Sequence, residues 1–160
     1  MGKKARVLIV DDELIGLRNL QHVMEKEGYE VQGTQSGQNA LKLMEEKRFE
    51  IVITDLKMEK VDGMQILKKA KTLHPECEVI LITGYATLQS AIQAMKKGAY
   101  DYVAKPFKLD EVRKVVAEAA EKVRLKDENA RLREQIENFR GKVKIITQDA
   151  AMERLLDTAR

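Results

Sequence analysis

Four short apolar runs in this chain end on, or lead into, residues with reactive polar side chains. Val7-Leu8-Ile9-Val10 stops at Asp11, Asp12 and Glu13, and Ile51-Val52-Ile53-Thr54 stops at Asp55. Val79-Ile80-Leu81-Ile82 stops at Thr83, and the weaker Tyr102-Val103-Ala104 leads into Lys105. Consecutive acids at a strand end repel one another, the more so where water is partly excluded, so something positive belongs there. Three carboxylates at one place suit Mg2+, a hard cation that takes oxygen ligands, keeps several waters and accepts phosphate oxygens. Asp11 and Asp12 therefore read as a metal-binding pair. Asp55, alone at its strand end, is placed to attack phosphorus and become an acyl phosphate. Such a transfer depends mainly on positioning and charge neutralisation, for which the metal, the Lys105 ammonium and the Thr83 hydroxyl are the available parts.

These residues meet only if the intervening chain brings the strand ends together. Five β-branched runs, Arg6 to Val10, Glu30 to Thr34, Ile51 to Asp55, Val79 to Thr83 and Tyr102 to Ala104, alternate with amphipathic helical patterns. The helices are predicted at Leu14 to Lys26, Ser36 to Glu46, Gly63 to Leu73 and Leu88 to Lys97, with a fifth from near Leu109 to Arg140. Such alternation implies right-handed crossovers and a parallel sheet covered on both faces. For five units the natural α/β fold is flavodoxin-like, with strand order 2-1-3-4-5, the run "EVQGT" at an edge and ligands at the carboxyl ends of the strands.

Composition narrows the field further. The chain has 160 residues, 44% apolar and 34% charged, with two prolines and a net charge of +3, as expected of a soluble globular protein without a large basic patch for nucleic acid or membrane. Cys77 is the single cysteine, which rules out an internal disulfide and fits a reducing cytoplasm. No apolar run approaches the ~18 residues of a membrane span, and "MGKKARVLIV" carries no signal-peptide pattern. His22 and His74 lack partners at metal-ligand spacing, so neither is expected to relay phosphate.

The segments "VLIVDDE", "IVITDLKMEKVDGMQIL", "VILITGYAT" and "GAYDYVAKPF" resemble the four signature blocks of the receiver domain of bacterial two-component response regulators, over about Val7 to Val123. The resemblance implies that Asp55 is the phosphoacceptor, Asp11 and Asp12 the acidic pair, Thr83 the switch hydroxyl, Tyr102 the switch aromatic and Lys105 the phosphate-binding lysine. It also implies that the backbone carbonyl of Lys57 completes the Mg2+ site, that the bond before Pro106 is cis, and that a sensor histidine kinase donates the phosphate. Lys96, Asp101 and Arg113 become candidate contacts on an output surface. Glu59 stands where the family often has proline, which predicts a looser loop. Singly, each feature has an ordinary explanation: an Asp-Asp pair caps helices, Thr83-Gly84 makes a turn, Lys105 is solvated and Tyr102 packs in a core. Four strand ends carrying the right residue in the right order is what those explanations leave out. An aspartyl-phosphate hydrolase would carry a second acid two residues after the first, where Lys57 stands, and a dimerisation module with a dead site would not need the complete acidic set.

Beyond the receiver-like segment, 1–120, "EKVRLKDENARLREQIENFR" holds six basic and five acidic residues, unlike a DNA-binding basic region. A heptad pattern fits, with Leu125, Leu132 and Phe139 at d and Asn129 and Ile136 at a, and it predicts a parallel homodimer. Glu121 with Lys126, and Glu128 with Arg133, would pair between helices; the alternative is a helix packed on its own domain. Gly141 is expected to end this linker, 121–141. "ENARLREQI" and "IITQDAAMERLL" resemble the linker and the opening of the AAA+ domain of nitrogen-regulatory-protein-C-type activators, which work with sigma-54 RNA polymerase. That resemblance implies a chain truncated near the start of the AAA+ domain, at 142–160, with the ATPase and DNA contacts in absent domains.

Overall fold

The computed structural model describes residues 5–146, the last five by backbone alone. Strand β1, Arg6–Val10, is followed by α1, Leu14–Lys26, then β2, Glu30–Thr34, and α2, Gly37–Glu46. Next come β3, Ile51–Asp55, α3, Gly63–Leu73, β4, Glu78–Thr83, α4, Leu88–Lys96, β5, Asp101–Ala104, and α5, Leu109–Ile146. The five strands form one parallel sheet in the order β2-β1-β3-β4-β5, the predicted flavodoxin-like order.

The continuous apolar runs follow from burial on both faces. Alternate residues of one strand serve two cores, as parallel sheets covered on both sides require. Leu8, Val52 and Leu81 pack with Ala40 and Met44 of α2 and Ile66 and Leu67 of α3. Val7, Ile9, Ile53 and Ile80 pack with Leu17, Leu20 and Met24 of α1 and Val112 and Val116 of α5. β2 sits at the edge, and its pattern is correspondingly mixed.

β4 begins one residue earlier than predicted, at Glu78, which is only 2% exposed. A buried carboxylate is tolerated when paired. Lys122 of α5 stands 3.4 Å from Glu78 Oε1 and Lys71 of α3 stands 4.0 Å away, so cations from helices on opposite faces of the sheet meet it. Neighbouring Cys77 is buried, which pushes its thiol up to about 12. Since the thiolate is the reactive form, a disulfide reagent such as dithionitrobenzoate should label the native chain only as fast as it opens, and faster with added urea; immediate labelling would contradict this packing.

The β3–α3 loop is pinned, contrary to the looseness expected from Glu59. Lys60 adopts φ 66°, a left-handed conformation that costs a non-glycine residue of order 1 kcal/mol. In return Val61 is buried, and Asp62 starts α3 with a reciprocal cap, accepting from Gln65 N–H and donating its own N–H to Gln65 Oε1, both at 2.9 Å. Gly63 N–H donates to the Leu56 carbonyl at 2.8 Å, and a Cβ at Gly63 would collide with the Asp55 carbonyl oxygen. Only glycine lets the start of α3 lie so close to the strand end that carries Asp55.

Residues through Val123 form one compact unit and those from Arg124 a second. α5 corrects the expected stop at Gly141: the helix continues to Ile146. Gly141 is not among the positive-φ glycines, so no left-handed cap forms, and no proline follows to end the helix. The rest of the expected AAA+ opening, 147–160, lies outside the described residues. Leu125, Leu132, Ile136 and Phe139 are 48%, 50%, 51% and 68% exposed, and Asn129 is exposed as well. Glu128 binds Arg124 of its own helix at 3.3 Å.

Candidate functional site

Sheet register decides which side chains meet. Val10 pairs with Thr54, Asp55 with Ile82 and Thr83 with Ala104, so the carboxyl ends of β1, β3, β4 and β5 finish at nearly one level. Asp11 is 4% exposed, Asp55 8%, and Asp12 lies open to solvent. One carboxylate oxygen from each of the three falls within 4.8 Å of the others. Lys105 reaches both buried acids, its Nζ standing 3.1 Å from Asp55 Oδ2 and 3.4 Å from Asp11 Oδ2. The Lys105–Pro106 peptide bond is cis.

Neither aspartate of the pair is consumed as a helix cap. Glu13 is the N-cap of α1 and its side chain makes no capping bond, while Asp11 Oδ1 accepts from Glu13 N–H at 2.9 Å. Asp55 Oδ1 accepts from the Lys57 backbone N–H at 3.4 Å. The donor set is hard oxygen on both buried and exposed carboxylates, which fits a divalent cation such as Mg2+.

Electrostatics give the two central groups opposite tensions. Burial raises the proton affinity of Asp55 above the ordinary carboxylate range, with Asp11 adding to it, and the Lys105 ammonium only partly offsets this. For Lys105 burial favours the neutral amine, yet the hydrogen bond to Asp55 and the charges of Asp11, Asp55 and Glu13 outweigh it, and its proton is held more tightly than usual. A carboxyl that holds its proton more tightly folded than unfolded makes the fold lose stability as pH rises above the ordinary carboxylate range. In EDTA, Asp55→Asn should therefore melt higher than the wild type at neutral pH, with the gap closing as both become neutral in acid. A gap that widens on acidification would contradict this.

Thr83 and Tyr102 are present at their strands but engaged elsewhere. Thr83 is fully buried and its Oγ1 accepts from Tyr85 N–H at 3.0 Å. Tyr102 is half-buried, with its hydroxyl 2.6 Å from Ser90 Oγ on α4. Ser90 also accepts from Thr87 N–H at 3.3 Å in the cap that starts α4, so the aromatic and the β4–α4 loop share a hydrogen-bonded chain. Lys57 Nζ lies 4.5 Å from the centre of the Tyr85 ring. Sequence reasoning missed Ser90 and Tyr85, and no spacing signal marks either. Arg113, expected on an output surface, binds Glu27 of α1 at 2.9 Å, whereas Leu88, Ile92 and Met95 of α4 are exposed.

The geometry has its counterpart among known proteins: the model of the response regulator receiver domain matches residues 7–117. The chain belongs to the response regulator receiver family. It is 34% identical to the C4-dicarboxylate transport transcriptional regulatory protein DctD of Rhizobium meliloti (strain 1021), over 99% of this chain and 34% of that protein. Among solved structures, a response regulator receiver domain protein of Clostridium thermocellum is 36% identical with a TM-score of 0.71, covering 76% of this chain and 98% of that one. The beryllofluoride-activated NtrC4 receiver domain dimer is 33% identical with a TM-score of 0.70, covering 74% of this chain and 98% of that one. The receiver and its helix span about a quarter to a third of the length of the curated relatives they match. Among the described residues, no helix is long and apolar enough to cross a membrane.

Proposed function

We propose that this receiver is the phosphoacceptor of a two-component system, taking a phosphoryl group on Asp55 from a phosphohistidine of a sensor histidine kinase. The observation that carries the reading is the Lys105 ammonium shared between two buried carboxylates, Asp55 and Asp11, with Asp12 beside them. An Asp55 carboxylate oxygen attacks phosphorus as the phosphorus–nitrogen bond of the phosphohistidine breaks; the imidazole leaves with a proton and an acyl phosphate remains. Asp11, Asp12, Asp55 and the Lys57 carbonyl would hold Mg2+, which when bound neutralises charge on the phosphoryl oxygens. Lys105 follows the charge as it moves from the carboxylate to the phosphoryl group. Acetyl phosphate should add one phosphate per chain with magnesium and none in EDTA, read by intact mass.

The signal then leaves through the groups next to the site. The Thr83 hydroxyl turns from Tyr85 N–H to the new phosphoryl oxygens, and Tyr102 gives up Ser90, which alters the face of α4 and β5 bearing Lys96 and Asp101. The division proposed is a receiver at 1–120, a coiled-coil linker at 121–141 and the beginning of an AAA+ domain at 142–160. In the whole protein, a cytoplasmic one, this would control an activator working with sigma-54 RNA polymerase on DNA.

The homodimer is proposed to run through Leu125, Asn129, Leu132, Ile136 and Phe139, all exposed on the single chain. Burying an apolar side chain of this size is worth roughly 1.5–3 kcal/mol. Leu132→Asp should therefore shift the protein toward monomer in sedimentation equilibrium and leave phosphate uptake intact. A dimer unmoved by the change would refute the heptad register.

A further inference from the structure

Gly16 stands in the first turn of α1, and its backbone gives no reason for a glycine. The positive-φ glycines among the described residues are Gly28 and Gly98, whereas Gly16 lies in the ordinary right-handed helix. Glycine in a helix is less favourable than alanine. The neighbourhood supplies the missing reason. A Cβ at Gly16 would come within 4 Å of Asp11 alone, at 3.0 Å from Oδ2 and 3.8 Å from Cγ.

That oxygen has one settled orientation. Asp11 Oδ2 faces Lys105 Nζ at 3.4 Å, while Oδ1 is tied to Glu13 N–H at 2.9 Å. The residue is 4% exposed, so the carboxylate has little room to yield. A contact as short as 3.0 Å is tighter than nearly all real Cβ contacts, so a methyl group there would turn or push the carboxylate.

We propose that Gly16 is a positioning residue for the metal site: by leaving the space beside Asp11 Oδ2 empty, it lets that carboxylate keep the orientation in which it joins Asp12 and Asp55 around a divalent cation. The proposal rests on the metal reading given above and adds to it a residue that is no ligand. It also separates two quantities that a structural glycine would move together. Alanine at this position adds helix propensity but pushes on a carboxylate with little room to move, so metal affinity falls while fold stability changes little.

The test titrates wild type, Gly16→Ala and Asn19→Ala with magnesium chloride by calorimetry and melts all three in EDTA. Asn19 is exposed on α1, and its replacement gives a comparable gain in helix propensity away from Asp11. Asn19→Ala should melt at or above the wild type and Gly16→Ala close to it. Gly16→Ala should bind magnesium about tenfold more weakly, the low end of what disturbing a ligand's support costs, with Asn19→Ala binding like the wild type. Gly16→Ala binding magnesium as tightly as the wild type overturns the proposal. An unfolded Gly16→Ala in EDTA also overturns it, because Gly16 would then be needed for folding itself. A wild-type chain that binds no magnesium defeats the metal reading, and that outcome is distinct from an altered ratio between wild type and variant.

Discussion

Lys105→Met should destabilise the metal-free receiver by about 1–3 kcal/mol, the cost of leaving buried charged groups without their partner, and at the same time tighten magnesium binding several-fold. The wild-type ammonium lies 3.1 Å from Asp55 and 3.4 Å from Asp11, and the side chains concerned are 25%, 9% and 5% exposed for Lys105, Asp55 and Asp11. Methionine fills most of the space of the lysine stem but removes the charge, so two buried carboxylates face one another uncompensated. Asp55, whose proton affinity burial already raises, would respond by binding a proton more readily still. The same ammonium repels a second cation from the acids, which is why its loss favours magnesium. Urea unfolding in EDTA and a calorimetric titration measure the two effects. Unchanged stability together with weaker magnesium binding would mean that Lys105 does not compete with the metal for these carboxylates.

Much of this arrangement was legible because the sheet is buried on both faces. Runs such as Val7 to Val10 and Ile51 to Thr54 have no polar alternation to confuse with a surface strand, and their polar ends mark the rim of the sheet. Strand order then follows from the repeated crossover, and with it the meeting of Asp11, Asp55 and Lys105, which are up to 94 residues apart. What stayed hidden depends on contacts between elements. Glu78 looks like a loop residue until Lys71 and Lys122 converge on it from two helices. Ser90 matters only because Tyr102 reaches it across 12 residues of sequence. The pairing of Arg113 with Glu27 likewise depends on how α5 lies beside α1. Gly141 misled for a local reason: glycine ends a helix when the chain turns left-handed there, and its cost of about 1 kcal/mol against alanine is too small to force that turn.

In the function proposed, Asp55, and not either aspartate beside it, receives the phosphoryl group. Asp11 and Asp12 follow β1 and lie at the same rim, so proximity does not choose among the three. Asp11 shares the same kind of supports, with Lys105 at 3.4 Å and the Glu13 N–H at 2.9 Å, whereas Asp55 takes the shorter 3.1 Å contact with Lys105 and stands on a strand end wedged against Gly63. The deciding measurement is the intact mass of wild type, Asp55→Asn and Asp12→Asn after incubation with acetyl phosphate and magnesium, followed by hydroxylamine, which cleaves acyl phosphates. One added phosphate that hydroxylamine removes is expected on the wild type, none on Asp55→Asn, and uptake by Asp12→Asn that returns at higher magnesium. Undiminished, hydroxylamine-sensitive uptake by Asp55→Asn would contradict this assignment.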